Sequence, residues 1–199
     1  MRYRILFLLF GNVLIGLGIG LSLYINFGTD SLTALYVGFS NYIPLSYGTI
    51  YVLANCFFFL IVFLFDKKKI NVGTVLNMTM NGYIGEFVYG VLENIDESPA
   101  FILRCVLLPI FLCIMACGVA MYMSPSLGEA PWDALTTIVT QKLKKPFRII
   151  RSTMDTSCLI IGVLLGAPFG FASIILSFFS GPLIQFFRVR CDSFLNRHS

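Results

Sequence analysis

Charge is what this sequence has least of. Only 12% of its 199 residues are Asp, Glu, Lys or Arg, about half the share that covers a soluble globule. There is one tryptophan and one histidine, His198, near the end of the chain. A lone histidine excludes the usual His-rich metal sites. No HExxH, GxSxG or Gly-rich loop ending in Lys occurs either, so hydrolytic and ATP-driven chemistry lacks its residues. The six cysteines (Cys56, Cys105, Cys113, Cys117, Cys158, Cys191) show no CxxC spacing, and those inside apolar runs read as small packing residues rather than ligands or disulfide partners. A net charge of +4, gathered in short basic clusters beside apolar runs, leaves no nucleic-acid footprint. The expectation is therefore no enzyme, no cofactor and no metal.

What is present is apolar sequence, at 57% hydrophobic residues and a mean hydropathy of +0.85. A chain of this kind is an integral membrane protein with the lipid bilayer as its first partner. Apolar runs near 5–27, 47–65, 70–92, 100–123, 149–167 and 170–188 predict six transmembrane helices. Two weaker segments, 30–43 and 132–143, are too short to cross and are either re-entrant or interfacial helices. Basic residues fall in Arg2 and Arg4, in Lys67–Lys69, in Lys142, Lys144, Lys145 and Arg148, and in Arg188, Arg190 and Arg197. In a six-crossing chain these all lie on one side, which the positive-inside rule makes cytoplasmic, together with both termini. The run from Glu93 to Ser98 on the other side is acidic.

The chain also repeats itself. Gly18, Gly28, Asp30, Leu32, Thr33, Asn55 and Gly82 are answered by Gly118, Gly128, Asp133, Leu135, Thr136, Asp155 and Gly181, at offsets of 99 to 103 residues. The first repeat covers 5–92 and the second 100–190, within one membrane domain spanning 1–199. Three crossings per repeat make the second inverted with respect to the first, an all-α architecture in which a solute path commonly follows the pseudo-two-fold axis. Asp30 is expected near the outer face and Asp133 near the inner one. Each follows a glycine where a short helix starts, so each is also a candidate N-cap. Trp132 is expected at the cytoplasmic interface.

Polar side chains inside apolar runs mark the candidate pathway, because burying them unpaired in lipid is costly. On the third crossing Thr74, Asn77 and Asn81 share a helical face with Met78 and Gly85, and Glu86 stands beside them. On the last crossing Ser173, Ser177 and Ser180, with Leu176 and Gln185, draw a similar stripe, and the two stripes either face a central cavity or form packing seams. Asp30, Thr33, Asn55, Asp133, Thr136 and Asp155 complete the set of pathway candidates. Arg151 lies one turn before Asp155 and is placed to neutralise it, or Asp155 titrates and couples transport to protons or cations. Gly11, Gly16, Gly18 and Gly20, with Asn12, mark a close-packing face on the first helix. Arg104 is expected to snorkel.

The segments Ala130-Pro131-Trp132-Asp133-Ala134-Leu135-Thr136 and Gly181-Pro182-Leu183-Ile184, with Val72-Gly73-Thr74-Val75-Leu76 and Asn81-Gly82 in the first half, resemble the bacterial YczE/YyaS/YitT-type multispanning membrane proteins. The resemblance implies the bacterial cytoplasmic membrane and carries no settled activity. The first half departs from it in having Thr29-Asp30 without Pro-Trp, and the second in having Phe171-Ala172-Ser173 where Gly-Thr is expected. The reading that follows is a gradient-driven transporter or channel for an unidentified small solute. The alternatives are an accessory or scaffold subunit of another membrane complex, or the solute-binding subunit of a larger transporter. A homo-oligomer and a membrane-protein partner both stay open.

Overall fold

Helix boundaries follow local chemistry in the computed structural model, which describes residues 2–96 and 99–197, with the backbone alone for Arg148 and for residues 177–181. Among the described residues there are eight α-helices: α1 (Arg2–Ile25), α2 (Ser31–Ser40), α3 (Tyr47–Phe65), α4 (Val72–Ile95), α5 (Phe101–Met123), α6 (Pro131–Leu143), α7 (Phe147–Leu164) and α8 (Phe171–Arg197), with a single 3-10 turn at Lys67–Lys69. Ser46 caps α3 through a bond from Thr49 N, and Asn71 caps α4 in a reciprocal box with Thr74, each satisfying amides that a helix start leaves free. Pro131 opens α6 at a position where its missing N–H costs nothing.

The helical pattern read from the sequence holds, with α2 and α6 falling on the two short segments. One end differs. The last helix continues to Arg197 instead of stopping near 188, because Phe194 packs against α1, stacking on Phe7 with ring centroids 5.4 Å apart. The acidic run after α4 is partly legible: Ile95 ends the helix and Asp96 caps it, while Glu97 and Ser98 lie outside the described residues. By length and composition α1, α3 and α5 are long and apolar enough to cross a membrane. Their outward faces are apolar too, with Leu64 and Ile102 more than 70% exposed, the surface a lipid environment accepts and water does not.

Helix α1 is the centre of the bundle, flanked by α4 and α5. Its glycines let backbones meet. A Cβ on Gly11 would lie 2.6 Å from Tyr122 N, and one on Gly118 2.8 Å from Ile15 N. Gly16 and Gly20 face Ile84 and Val88 of α4, whereas Gly18 faces Met115 of α5. The expected close-packing face is therefore two faces, one for each neighbour. Asn12 adds a polar tie to α4, donating to Leu8 O of its own helix and accepting from Asn77 Nδ2 at 3.1 Å.

The two halves hold each other by matching contacts. The loop after α1 receives α8: Ala172 N donates to Phe27 O at 2.9 Å and Ser173 Oγ to Thr29 O at 2.7 Å. The loop after α5 receives α4 in the same way, Gly73 N donating to Leu127 O at 2.9 Å and Thr74 Oγ1 to Glu129 O at 2.7 Å. Both loops turn through left-handed residues at matching positions, Asn26 and Gly28 in one, Ser126 and Gly128 in the other. Glycine is required at the second of each pair, since its φ is positive and a Cβ would strike Ser173 Oγ or Thr74 Oγ1. Across the halves, α2 packs on α7 and α3 on α6.

Basic groups gather at one end. Arg4 and Arg188 share a cleft at the start of α1 and the end of α8, Lys69 pairs with Glu129 at 3.0 Å, and Lys142 lies 3.6 Å from the Phe65 ring centre. At the opposite end Phe27 meets Phe101, and Arg104 donates to Pro99 O at 2.8 Å rather than reaching away from the protein.

The glycine crossing yields a prediction. Gly11→Val should lower the midpoint of thermal unfolding in detergent, at a cost of at least about 2 kcal/mol, because backbone lies where the side chain would go. Gly90→Ala, where nothing lies within 4 Å, should leave the midpoint unchanged or raise it by the helix propensity of alanine, about 0.5–1 kcal/mol.

Candidate functional site

The short helices α2 and α6 start beside one cavity of about 130 Å³. Its walls combine residues from seven helices. From α4 come Asn77 and Asn81, from α3 Tyr51 and Asn55, from α2 and its cap Asp30, Thr33 and Tyr36, and from α6 and α7 Trp132, Asp133 and Arg151. Ile15 and Ile19 of α1 and Met115, Val119 and Tyr122 of α5 complete it. Each helix contributes for a local reason. The repeated turn after α1 and after α5 stops the long helix, and the first turn of α2 or α6 then sits inside the bundle. Thr33, Ala34, Leu35 and Tyr36 are buried on α2, and Pro131, Trp132, Ala134, Thr136 and Ile138 on α6. The far ends of both segments are exposed, at Phe39 and Tyr42 in one and Leu143 in the other.

Arg151 organises one wall. Its Nε donates to Asp155 Oδ2 at 2.7 Å and its Nη1 to Asp133 Oδ1, so a single guanidinium bridges two carboxylates, as its planar fork of donors permits. Asp155 is held from the other side by Trp132 Nε1, which donates to its Oδ1 at 2.9 Å. Trp132 is itself only 6% exposed, packed on Phe58 with centroids 5.0 Å apart. The expected interfacial anchor is thus a buried donor, since the indole N–H has an acid to bond inside the protein. Asp133 does not cap its helix either: α6 starts at Pro131 without a side-chain cap, and the Asp133 carboxylate is turned to Arg151.

Asp30 does cap. Its Oδ2 accepts from Thr33 N at 3.2 Å. Its Oδ1 is buried and has no hydrogen-bond partner. The same holds for both amide atoms of Asn81, a residue 1% exposed that faces the Tyr51 hydroxyl. Leaving such groups unmade costs about 1–3 kcal/mol each, and both residues line the cavity, so a water or solute that reached these atoms would recover that cost. Asn55 by contrast is satisfied, donating to Tyr51 O at 2.9 Å and to the Tyr36 hydroxyl at 3.3 Å. Tyr36 in turn meets Tyr51 edge-on at 5.1 Å.

Seven of the residues chosen from sequence therefore line the cavity: Asp30, Thr33, Asn55, Asn77, Asn81, Asp133 and Arg151. Asp155 stands behind Arg151. Thr74 and Ser173 do not reach the cavity and serve as clasps on the two loops, as described above. Thr136 bonds back to Trp132 O within its own helix. The side chains of Ser177 and Ser180 lie outside the described residues. The stripe on α8 is not seen to face that on α4: Gln185 is exposed, and no described α8 side chain lines the cavity. Asp30 and Asp133 line the same cavity, because both short helices turn their first residues inward. The aromatic lining of Tyr36, Tyr51 and Tyr122 was missed. The spacing of Tyr47 and Tyr51 on one face of α3 carries that signal, but in an apolar run it is indistinguishable from ordinary core.

Residues 2–189 match the model of DUF6198, a family of unknown function. The chain belongs to that family. An uncharacterized protein of Haemophilus influenzae is 28% identical over 181 residues, covering 90% of this chain and 81% of the relative. The uncharacterized membrane protein YczE of Bacillus subtilis is 25% identical over 123 residues, 62% of this chain and 56% of its own length. YyaS of the same organism is 23% identical over 177 residues, covering 89% and 88%. No solved structure matches. The apolar helices together with the likeness to YczE point to a membrane protein of a YczE-type family.

Removing the bridge should be expensive. Arg151→Ala leaves Asp133 and Asp155 facing each other without a cation. It should cost about 2–3 kcal/mol in thermal or denaturant unfolding, less than for a fully buried pair because about a third of the side chain is exposed. Arg151→Lys should recover only part of that, since one ammonium cannot reproduce the two-pronged geometry.

Proposed function

We propose that this chain is a six-crossing protein of the cytoplasmic membrane with inverted halves, and that it is a gradient-driven transporter or channel for a small solute, without enzymatic activity. In this reading α1, α3, α4, α5, α7 and α8 cross, while α2 and α6 are re-entrant helices whose first turns meet near mid-membrane. The observation that carries it is the cavity bounded by both short helices and lined by Asp30 and Asn81, whose side chains keep buried polar atoms without hydrogen-bond partners. Inverted-repeat transporters commonly put their sites where interrupted helices meet. The matching clasps of Ser173 on Thr29 and Thr74 on Glu129 support equivalent, oppositely directed halves. The shared basic end supports cytoplasmic termini by the positive-inside rule. Asp155 is a poor coupling residue in this arrangement, being held by both Arg151 and Trp132.

Single cysteines at positions 30, 81 and 133, in a variant freed of its six native cysteines, test the pathway. Water-soluble thiol reagent should modify all three in membranes, and a small solute that occupies the cavity should protect them. Silence at all three, with loop controls reacting, would mean that the polar residues form a packing seam, and the reading as a non-transporting subunit of another complex would replace this one.

A further inference from the structure

We propose that the cavity binds a small organic ammonium ion, with Asp30 as its counter-ion and Asn81 as its second polar contact. The inference rests on reading the cavity as a solute site and goes on to its chemistry. Three carboxylates, Asp30, Asp133 and Asp155, are set against one guanidinium, and Arg151 bonds the latter two. Asp30 is left without an ion pair among the described residues, its Oδ1 buried and unpartnered. Two helix N-termini also point here, each worth roughly half a positive charge, so together they offset about one of the two excess negative charges. The balance remains negative, and the cavity favours a cation over an anion.

The remaining walls decide which cation. Asn81 offers a carbonyl oxygen that no protein donor occupies. Tyr36, Tyr51, Tyr122 and Trp132 line the same space, and aromatic ring faces attract an ammonium or its methyl groups. A bare sodium ion gains little from such walls, because hard cations need a shell of several oxygen ligands. A volume of about 130 Å³ falls well under the roughly 300–1,000 Å³ of sites that take drug-sized ligands, which restricts the guest to a few heavy atoms.

The full chain in detergent has a built-in reporter, because its only tryptophan, Trp132, forms part of the cavity wall. Titration with methylammonium chloride should give a saturable change in tryptophan fluorescence that sodium chloride at matched ionic strength and sodium acetate do not give. Asp30→Asn, which retains a good helix cap, should weaken the response by about tenfold or more, as expected when one partner of a desolvated charge pair is neutralised. Asn81→Ala, which keeps the carboxylate, should weaken it less. The proposal is overturned if methylammonium gives no saturable change, if sodium or acetate gives the same one, or if Asp30→Asn binds undiminished. Flux into vesicles is read separately. Methylammonium binding without flux upholds the ammonium site and removes the transport reading, whereas flux of another solute with no methylammonium binding does the reverse.

Discussion

Backbone polar groups in an apolar interior must be satisfied by the protein itself, and this chain twice interrupts a long helix inside the bundle. The interruptions, at 26–30 and 124–130, free carbonyls that a continuous helix would have used. Phe27 O and Thr29 O are taken up by Ala172 and Ser173 at the start of α8, and Leu127 O and Glu129 O by Gly73 and Thr74 at the start of α4. Each donor helix is itself at a start, where its first amides lack intrahelical partners. Two deficits cancel, and they cancel between halves, so neither half completes its own loop. The remaining organisation depends on this exchange. It fixes where α2 and α6 begin, and hence where their first turns meet.

Once those turns are placed, the polar residues sort by what they can reach. Thr74 and Ser173 are consumed as clasps, and Asn12 and Asn77 join α1 to α4. Arg151 draws Asp133 and Asp155 together into one bridged group with Trp132 behind it. Among the buried atoms without a partner, Asp30 Oδ1 and the amide of Asn81 belong to residues that line the cavity, whereas the hydroxyls of Ser22, Thr29, Tyr47, Ser124 and Thr140 are left over away from it. That division separates architecture from chemistry in a set of residues that look alike when read along the chain.

Much of this was legible beforehand. The helices follow from apolar runs and caps, the glycines of α1 from their spacing, and the Arg151–Asp155 pair from its i, i+4 separation. Asp133 as a second partner of Arg151 was not legible, because it lies on a different helix and 18 residues away. Trp132 misled for a related reason: an indole beside basic sequence suits a membrane interface, and only the approach of α7 supplies the carboxylate that draws it inward. The supposed counterpart stripe on α8 looked equivalent by alignment of the repeats, yet its first serine is spent on Thr29 O. Repeats keep positions equivalent without keeping side chains equivalent, since Ser173 and Thr74 clasp loops of different composition.

The sequence by itself determined the solvent this chain was made for, where its helices lie along the chain, the recurrence of residues about a hundred positions apart and the end at which basic charge collects. Each of these depends on local composition and on spacing along the chain, which hydrophobicity, helix capping and charge express directly. Tertiary structure alone decided which polar groups are paired and which line the cavity, because a hydrogen bond or ion pair depends on distances between segments that lie up to 144 residues apart in sequence. The candidate function lies in that second category: it rests on the polar groups that folding brings to the cavity wall.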